Sequence, residues 1–501
     1  MTLRKMYNID RREFLKKAAV GGVGTVMLEN FLPFHSVEIK LGRSDSGIPE
    51  KGSQKKKVIV AGAGISGLCC AYGLIKKGHE VIVLEASGQY GGAVLSVHDG
   101  LADGLYADFG AENFTKPGYE NYWKYIEEFD LPVLPYLHRE DRLTRIDGKW
   151  YTDQMQKEKY KERIEELGGF NKKESKYLSS NPLSGLQKFY LKPYFKNFTD
   201  EYQPFGIGYD HLENIPVSEI YQKEGASKAA IVILGGDRTS ALYAIWQAYI
   251  MDKRGYDDGF ELFHIQGGNQ KLTNELGRRL GSIIKLDCQI LEIENGETGV
   301  TVKYREFGEE KEMSADFLAS CLRTTALNKI KITPELPPEK QFIFDNLGYD
   351  QTTRIVFQAR SEFWLKDNLS INLTFNHPAL RTIWRVAGEV DTERVVLMAK
   401  APGGTNPLRT LEAFKELYPG DKSNIDIEQT LVKDWSADEF VHGCERHSFS
   451  GLGELSKFWP HIMTPHGRIH FGGAHTDTRS WGMEAATNSA NRVVLEINRA
   501  T

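Results

Sequence analysis

Val58-Ile59-Val60-Ala61-Gly62-Ala63-Gly64-Ile65-Ser66-Gly67 is the stretch on which the fold turns. An apolar run meets three spaced glycines, a helix-like stretch follows, and a second apolar run, Val81-Ile82-Val83-Leu84, ends in Glu85. Strand, glycine turn, helix, strand and acid in that order form a βαβ unit built to hold a dinucleotide. Gly62 permits the tight turn, Gly64 lets the backbone approach a pyrophosphate, and Gly67 allows close helix-to-strand packing. The helix N-terminus supplies unpaired N–H groups and a positive dipole end, and Glu85 is expected to take the ribose hydroxyls. Ile65 and Ser66 lie inside the motif and are expected to contact the cofactor with it.

Downstream of the acid comes Ala86-Ser87-Gly88-Gln89-Tyr90-Gly91-Gly92-Ala93. A paired glycine at this spacing resembles the continuation of the fingerprint in flavoproteins of the glutathione-reductase-like class, where the loop passes over the FAD phosphates. The resemblance implies FAD rather than NAD, with Ala86, Gly91, Gly92 and Ala93 beside it.

The 501 residues are 41% hydrophobic and 11% aromatic, enough to bury a large core in two or more domains. Sixty-three basic against 68 acidic residues leave a net charge of -5, which gives no whole-chain footprint for nucleic acid or an anionic membrane. No run of 18 apolar residues occurs, so no transmembrane span is expected, and no internal repeat is present. The five cysteines, Cys69, Cys70, Cys288, Cys321 and Cys444, are odd in number and contain no C-x-x-C pair, so neither a disulfide framework nor a metal site is expected. Cys69 and Cys70, on the helix after the glycines, read as core packing.

The first 35 residues stand apart. Asp10-Arg11-Arg12-Glu13-Phe14-Leu15-Lys16-Lys17 precedes a short, mildly apolar stretch, Ala18 to Leu28, and resembles a twin-arginine export signal. The alternative is an amphipathic helix that stays on the protein. Export of folded cargo suits a protein that must assemble around FAD first, and it implies a periplasmic or otherwise exported location. Glu29 to Phe34 offers no A-x-A cleavage site. Residues 36–56 read as a linker.

Two further blocks widen the resemblance. His264-Ile265-Gln266-Gly267-Gly268-Asn269-Gln270-Lys271-Leu272 leads into a helix expected to run to Leu280, with strands expected at Ile283–Leu286, Ile290–Ile293, Val300–Tyr304 and Ser314–Ser320. Gly467-Arg468-Ile469-His470-Phe471-Gly472-Gly473-Ala474-His475-Thr476 leads to a helix opened by Gly482-Met483-Glu484, apolar at helical spacing. With the N-terminal motif these resemble the flavin amine oxidase family, which includes monoamine, polyamine and L-amino-acid oxidases. The resemblance implies an α/β fold with a Rossmann-like FAD-binding domain from three segments, 57–115, 260–325 and 430–501. It also implies an α+β substrate domain from 116–259, a mostly helical cap, and 326–429, with strands at Thr382–Val386 and Val395–Ala399. Cofactor contacts are implied for Gly110, Ala111, Gly473, Ala474 and Met483, and a backbone contact to the adenine for Ile290. The last helix, N-terminus toward the flavin, would stabilise negative charge on the reduced ring.

Departures from the family fall on the pocket. Arg354 stands where the family usually has a Lys that holds a water near flavin N5 and aids reaction with oxygen. Arg stays protonated and is planar, so it either binds a substrate carboxylate or leaves the flavin slow with oxygen; an exposed strand arginine is the alternative. Cys444 matches the cysteine that carries the thioether link to flavin in monoamine oxidases, or is a small buried thiol. Glu445 and Gly482 fall where that family flanks the substrate amine with two tyrosines, and Trp481 is a pocket wall. Glu445 either pairs with a cationic part of the substrate or faces solvent. Ala93 and Ala474 replace an arginine and an acid common in the family, which would loosen FAD unless attachment is covalent.

The function expected is oxidation of a C–N bond of an amine or amino acid by hydride transfer to flavin N5, giving an imine that hydrolyses. The acceptor is oxygen or a periplasmic carrier, and an oligomer is compatible with the sequence. Two alternatives remain: a phytoene-desaturase-like dehydrogenase acting on C–C bonds, and a catalytically impaired flavin-binding protein.

Overall fold

Lys57–Ala61 becomes a central strand because Val58 to Ala61 are fully buried on both faces, as a parallel strand between two layers must be. In the computed structural model, which describes residues 54–136, 141–256, 259–479 and 482–500, this strand lies in a five-stranded sheet. The order is Ile284–Lys285, Glu80–Leu84, Lys57–Ala61, Phe317–Ser320, Ile469–Phe471, with every neighbour parallel. Its strands thus come from three stretches far apart in the chain. Ile48–Thr501 is one compact unit; residues 1–53, which carry the export-signal reading and most of the linker, lie outside the described residues.

The two faces of the sheet bury different partners. Val58 and Val60 share a cluster with Leu68, Cys69, Cys70 and Leu74 of the helix Ile65–Lys76 and with Ala490, Val493 and Ile497 of the helix Gly482–Arg499. Both Cys69 and Cys70 are core residues, as expected. The helices touch closely: a Cβ at Gly73 would sit 2.9 Å from Val494. Ile59 and Ala61 face a second cluster containing Trp246 and Trp459.

A seven-stranded sheet forms the other half. Its order is Ile427–Asp434, Thr352–Ala359, Val395–Pro402, Leu380–Val386, Leu373–His377, Leu143–Ile146, Lys149–Thr152. Ile355, Phe357, Leu397 and Ala399 pack on one face with Phe414 of the helix Pro407–Leu417, while Val356, Met398 and Trp384 pack on the other with Leu105 to Phe109. By strand alternation Arg354 and Lys400 fall on this second face.

Three expectations need correction. Ser314–Ser320 is two strands in two sheets, because Asp316 donates its N–H to Lys57 O at 2.9 Å and accepts from Lys57 N on its carboxylate at 2.7 Å. That clamp leaves Glu309–Ala315 in an antiparallel ladder and starts Phe317–Ser320 in the parallel one. Residues 116–259 contain seven α-helices among those described, but also Leu143–Ile146 and Lys149–Thr152, a hairpin that extends the large sheet. Lys56, read as linker, is buried, and its ammonium donates to Ile497 O and Ala500 O at 2.5 Å, capping the last helix.

Candidate active site

The glycine loop is shaped for a ligand that approaches its backbone. A Cβ at Gly67 would lie 1.9 Å from Gly62 O, so only glycine lets the helix start this close to the strand. Gly62 turns at φ +93°. At Gly64 a Cβ would meet only Gly92 Cα at 3.9 Å, so the space beside its backbone is open. The amides of Ser66 and Gly67, in the first turn of the helix, have no acceptor among the described residues. Unpaired amides and open space at one helix start fit a pyrophosphate.

Several other residues expected at the cofactor lie against this loop. Gly91 N donates to Ala63 O at 2.9 Å, which sets the paired glycines against Gly64. Ala111 N donates to Ala93 O at 3.1 Å, and a Cβ at Gly110 would lie 1.8 Å from that same oxygen. Glu85 accepts from Ala63 N at 2.6 Å and from Ser87 N at 2.9 Å, beside half-buried Ala86. Cys288 N donates to Glu85 O at 2.7 Å, which brings in the strand Cys288–Asn295; its pairing slips between Ile290 and Glu292, freeing backbone beside Ile290. Gly473, at φ +110°, donates its N–H to Ser489 Oγ at 3.0 Å, and Ser489 meets Ser66 Oγ at 3.3 Å, placing Ala474 near the same end. Two residues contribute less than expected. Ser66 turns its hydroxyl inward to Ser489 and Cys321, and Met483 is buried in the core, so any contact from either is through backbone.

The pocket residues come from the large sheet and the loop around Cys444. Arg354 is 9% exposed, which disposes of the exposed-arginine reading. It faces Glu112 at 3.4 and 3.5 Å and lies over the Trp384 ring at 5.4 Å. Tyr136 hydroxyl donates to Glu112 at 3.1 Å and accepts from Trp384 Nε1 at 3.1 Å. The Arg354 charge is therefore met inside the protein. Its Nε, buried, has no hydrogen-bond partner among the described residues.

Cys444 and Glu445 are held by their backbone: Cys444 N donates to Asp350 O and Asp350 N donates to Glu445 O, each at 2.8 Å. Trp435 Nε1 donates to Phe109 O at 2.8 Å, tying this loop to Gly110. Burial pushes the Cys444 thiol up, while Arg354, Arg323 and Lys400 pull it down. Burial likewise raises the Glu445 carboxyl, aided by Asp350 and opposed by Lys400, Arg354 and Arg323. Glu445 itself is exposed to solvent. Where a side chain at Gly482 would stand, a Cβ would meet the Tyr119 hydroxyl at 2.1 Å. Trp481 lies outside the described residues.

Four residues escaped the sequence reading. Glu112 directly follows the expected contact Ala111, and Lys400 interrupts the apolar run Val395 to Ala399, so both left a signal. Arg323, which donates to Gly443 O at 3.0 Å, and Tyr119 left none.

Parallel strands and a glycine cradle that fits a dinucleotide belong to an FAD-dependent oxidoreductase acting on CH–NH or CH–NH2 donors. The chain belongs to the flavin-containing amine oxidoreductase family, which matches residues 65–498. It is 25% identical over 492 residues to the L-amino-acid oxidase of Vipera ammodytes ammodytes, covering 90% of this chain and 94% of that protein. The L-amino acid oxidase of Bothrops pictus is 23% identical over 478 residues, 90% and 91% of the two chains. Among solved structures, cyclohexylamine oxidase from Brevibacterium oxydans IH-35A superposes with TM-score 0.65 at 20% identity, covering 89% of this chain and 100% of that one. Wild-type putrescine oxidase bound to putrescine also gives 0.65, at 17% identity over 89% and 99%.

Proposed function

We propose that this is an exported enzyme that oxidises the C–N bond of an amine or amino acid to an imine, which hydrolyses to a carbonyl compound. The observation that carries it is the open glycine cradle at Gly64, beside the first amides of the helix Ile65–Lys76, in a chain of the flavin-containing amine oxidoreductase family. A Rossmann-like domain of the glutathione-reductase-like class, from 57–115, 260–325 and 430–501, holds FAD, and 116–259 with 326–429 form the substrate side.

FAD, when bound, supplies the two-electron acceptor for the hydride equivalent leaving the substrate α-carbon. The amides of Ser66 and Gly67 hold the pyrophosphate, Glu85 the ribose and Ile290 the adenine. The N-terminus of the helix Gly482–Arg499 offers positive potential to the isoalloxazine. Glu445, its carboxyl raised by burial, accepts the proton of the substrate ammonium, so that the amine is neutral when the C–H bond breaks. Arg354 closes the pocket wall with Glu112 and slows reaction with oxygen, so that a periplasmic carrier takes the electrons. The charges of Arg354, Glu112, Lys400 and Glu445 disfavour an apolar lipid and hence the C–C dehydrogenase reading. Cys444, half-buried and next to Glu445 in the chain, is the attachment point for FAD.

Turnover of amines and amino acids, with and without an artificial electron acceptor, tests the reading. Carbonyl product that forms only with the acceptor supports it; strong peroxide formation under air contradicts the carrier, and no carbonyl product under either condition contradicts the reaction. Acid precipitation should leave the flavin in the pellet, and a Cys444→Ala variant should release it; flavin in the wild-type supernatant contradicts attachment.

A further inference from the structure

Leu105, Phe109, Val356, Val396 and Met398 form an apolar layer between the large sheet and the stretch that leads to Gly110. A line of polar side chains crosses it. Glu389, partly exposed, accepts from the Tyr106 hydroxyl at 2.5 Å, and that hydroxyl lies 3.2 Å from His264 Nδ1. Tyr106 is 3% exposed and His264 7%. His264 meets the Tyr136 ring edge-on with centroids 5.4 Å apart, and the Tyr136 hydroxyl continues the line to Glu112, which faces Arg354. Asn269 pins the inner end: it accepts from Ile265 N at 2.9 Å and donates to Ala111 O at 3.0 Å, which ties the backbone beside His264 to the backbone beside Glu112.

Donor and acceptor roles assign the hydrogens along this line. A tyrosine hydroxyl has a single hydrogen and Glu389 takes it, so the hydrogen between His264 and Tyr106 belongs to His264 Nδ1. Nε2 is then the accepting nitrogen. It has no hydrogen-bond partner among the described residues. Burial lowers the His264 pKa, with Glu389 opposing, which keeps the ring neutral. Asp108, another buried acid close by, is closed off by the Ser96 hydroxyl and by Asn269 N at 3.1 Å. Polar groups set into an apolar layer cost stability, and nothing in the hydride step itself uses these three.

The reaction proposed above gives them a use. The substrate yields a hydride equivalent, whereas a carrier takes electrons only, so each electron pair that leaves the flavin leaves one proton behind. We infer that His264, Tyr106 and Glu389 relay this proton to solvent. His264 accepts it at Nε2 and gives its Nδ1 hydrogen to the Tyr106 oxygen, Tyr106 passes its own hydrogen to Glu389, and Glu389 releases it to water. A turn of the imidazole ring resets the line. The inference rests on the carrier-linked reading above and adds the path by which the proton of that same reaction departs.

The test needs no amine. The holoenzyme is photoreduced without oxygen and mixed rapidly with ferricyanide in weakly buffered phenol red, so that the return of flavin colour and the appearance of the proton are timed in one mixture. In wild type the two coincide. In Tyr106→Phe and in Glu389→Gln the proton appears at least about tenfold later than in wild type, and added imidazole, which can carry the proton itself, removes the delay. Flavin content and thermal midpoint of each variant report that it has folded. Variants whose proton keeps the wild-type rate overturn the inference, as does a delay that imidazole leaves in place, since that marks a structural defect. Amine oxidation still stands in both cases. A working relay in a protein that oxidises no amine or amino acid would instead remove the reading above and leave the relay.

Discussion

Gly67 is the position where one atom decides whether the cofactor can be held. A methyl group there would meet Gly62 O at 1.9 Å, backbone against backbone, so neither side can yield without opening the loop. Gly67→Ala should purify with most of its flavin lost, read as the ratio of visible to ultraviolet absorbance. Glu112 is decisive in another way, because removing it strands the Arg354 charge in a buried site. Glu112→Ala should cost about 3 kcal/mol by denaturant unfolding, whereas Glu112→Leu with Arg354→Met, which removes both charges, should cost much less. Equal costs would show that the pair does not act as a unit. His475 contributes to the acid sensitivity. Buried, and faced by Arg323, Arg446, Lys340 and Arg492, it has its pKa lowered to about 3 from 6.5. The unfolded chain binds this proton from pH 6.5 downward and the folded one does not, so stability is full above pH 6.5 and falls as pH drops towards 3. Between pH 7 and 5 the loss is about 2 kcal/mol, and a His475→Asn variant should show that much less dependence in urea midpoints over this interval.

Among elements, the helix Gly482–Arg499 does most to assemble the site. Its start is fitted against the start of the helix Glu120–Glu128: Glu484 accepts from Asn121 N at 3.1 Å and Tyr122 N at 2.8 Å. Tyr119 fills the space beside Gly482. Gly482→Ala should lower the thermal midpoint, with overpacking of about 1–3 kcal/mol, and Tyr119→Phe in the same chain should recover part of it by removing the hydroxyl. No recovery would mean that the positive φ of +82° at Gly482, not the ring, sets the cost. Elements were legible where local chemistry defines them. The glycine motif needs its neighbours in sequence, so strand, turn and helix were readable from residues 58 to 85. The strand Phe317–Ser320 was not separable from Glu309–Ala315, because the break depends on Asp316 meeting Lys57, 259 positions away. The hairpin Leu143–Thr152 was hidden for the same reason, since its ladder is completed by Leu373 and Thr374. In the site, Arg354 was visible as an odd residue in an apolar strand, but its partner Glu112 lies 242 positions distant.

On the scale of the whole molecule, a sheet strung together from three remote stretches carries the glycine cradle. No helix among the described residues is long and apolar enough to cross a membrane. The proposed function needs two parts together: a cradle to fix a redox cofactor, and a substrate side to present an amine to it. Anaerobic titration of the natively purified protein with amines and amino acids, followed in the visible flavin bands, asks both at once. The account predicts yellow protein whose long-wavelength band bleaches with an amine or amino acid and returns when an electron acceptor is added. Colourless protein, or a flavin that no amine or amino acid reduces, would contradict it.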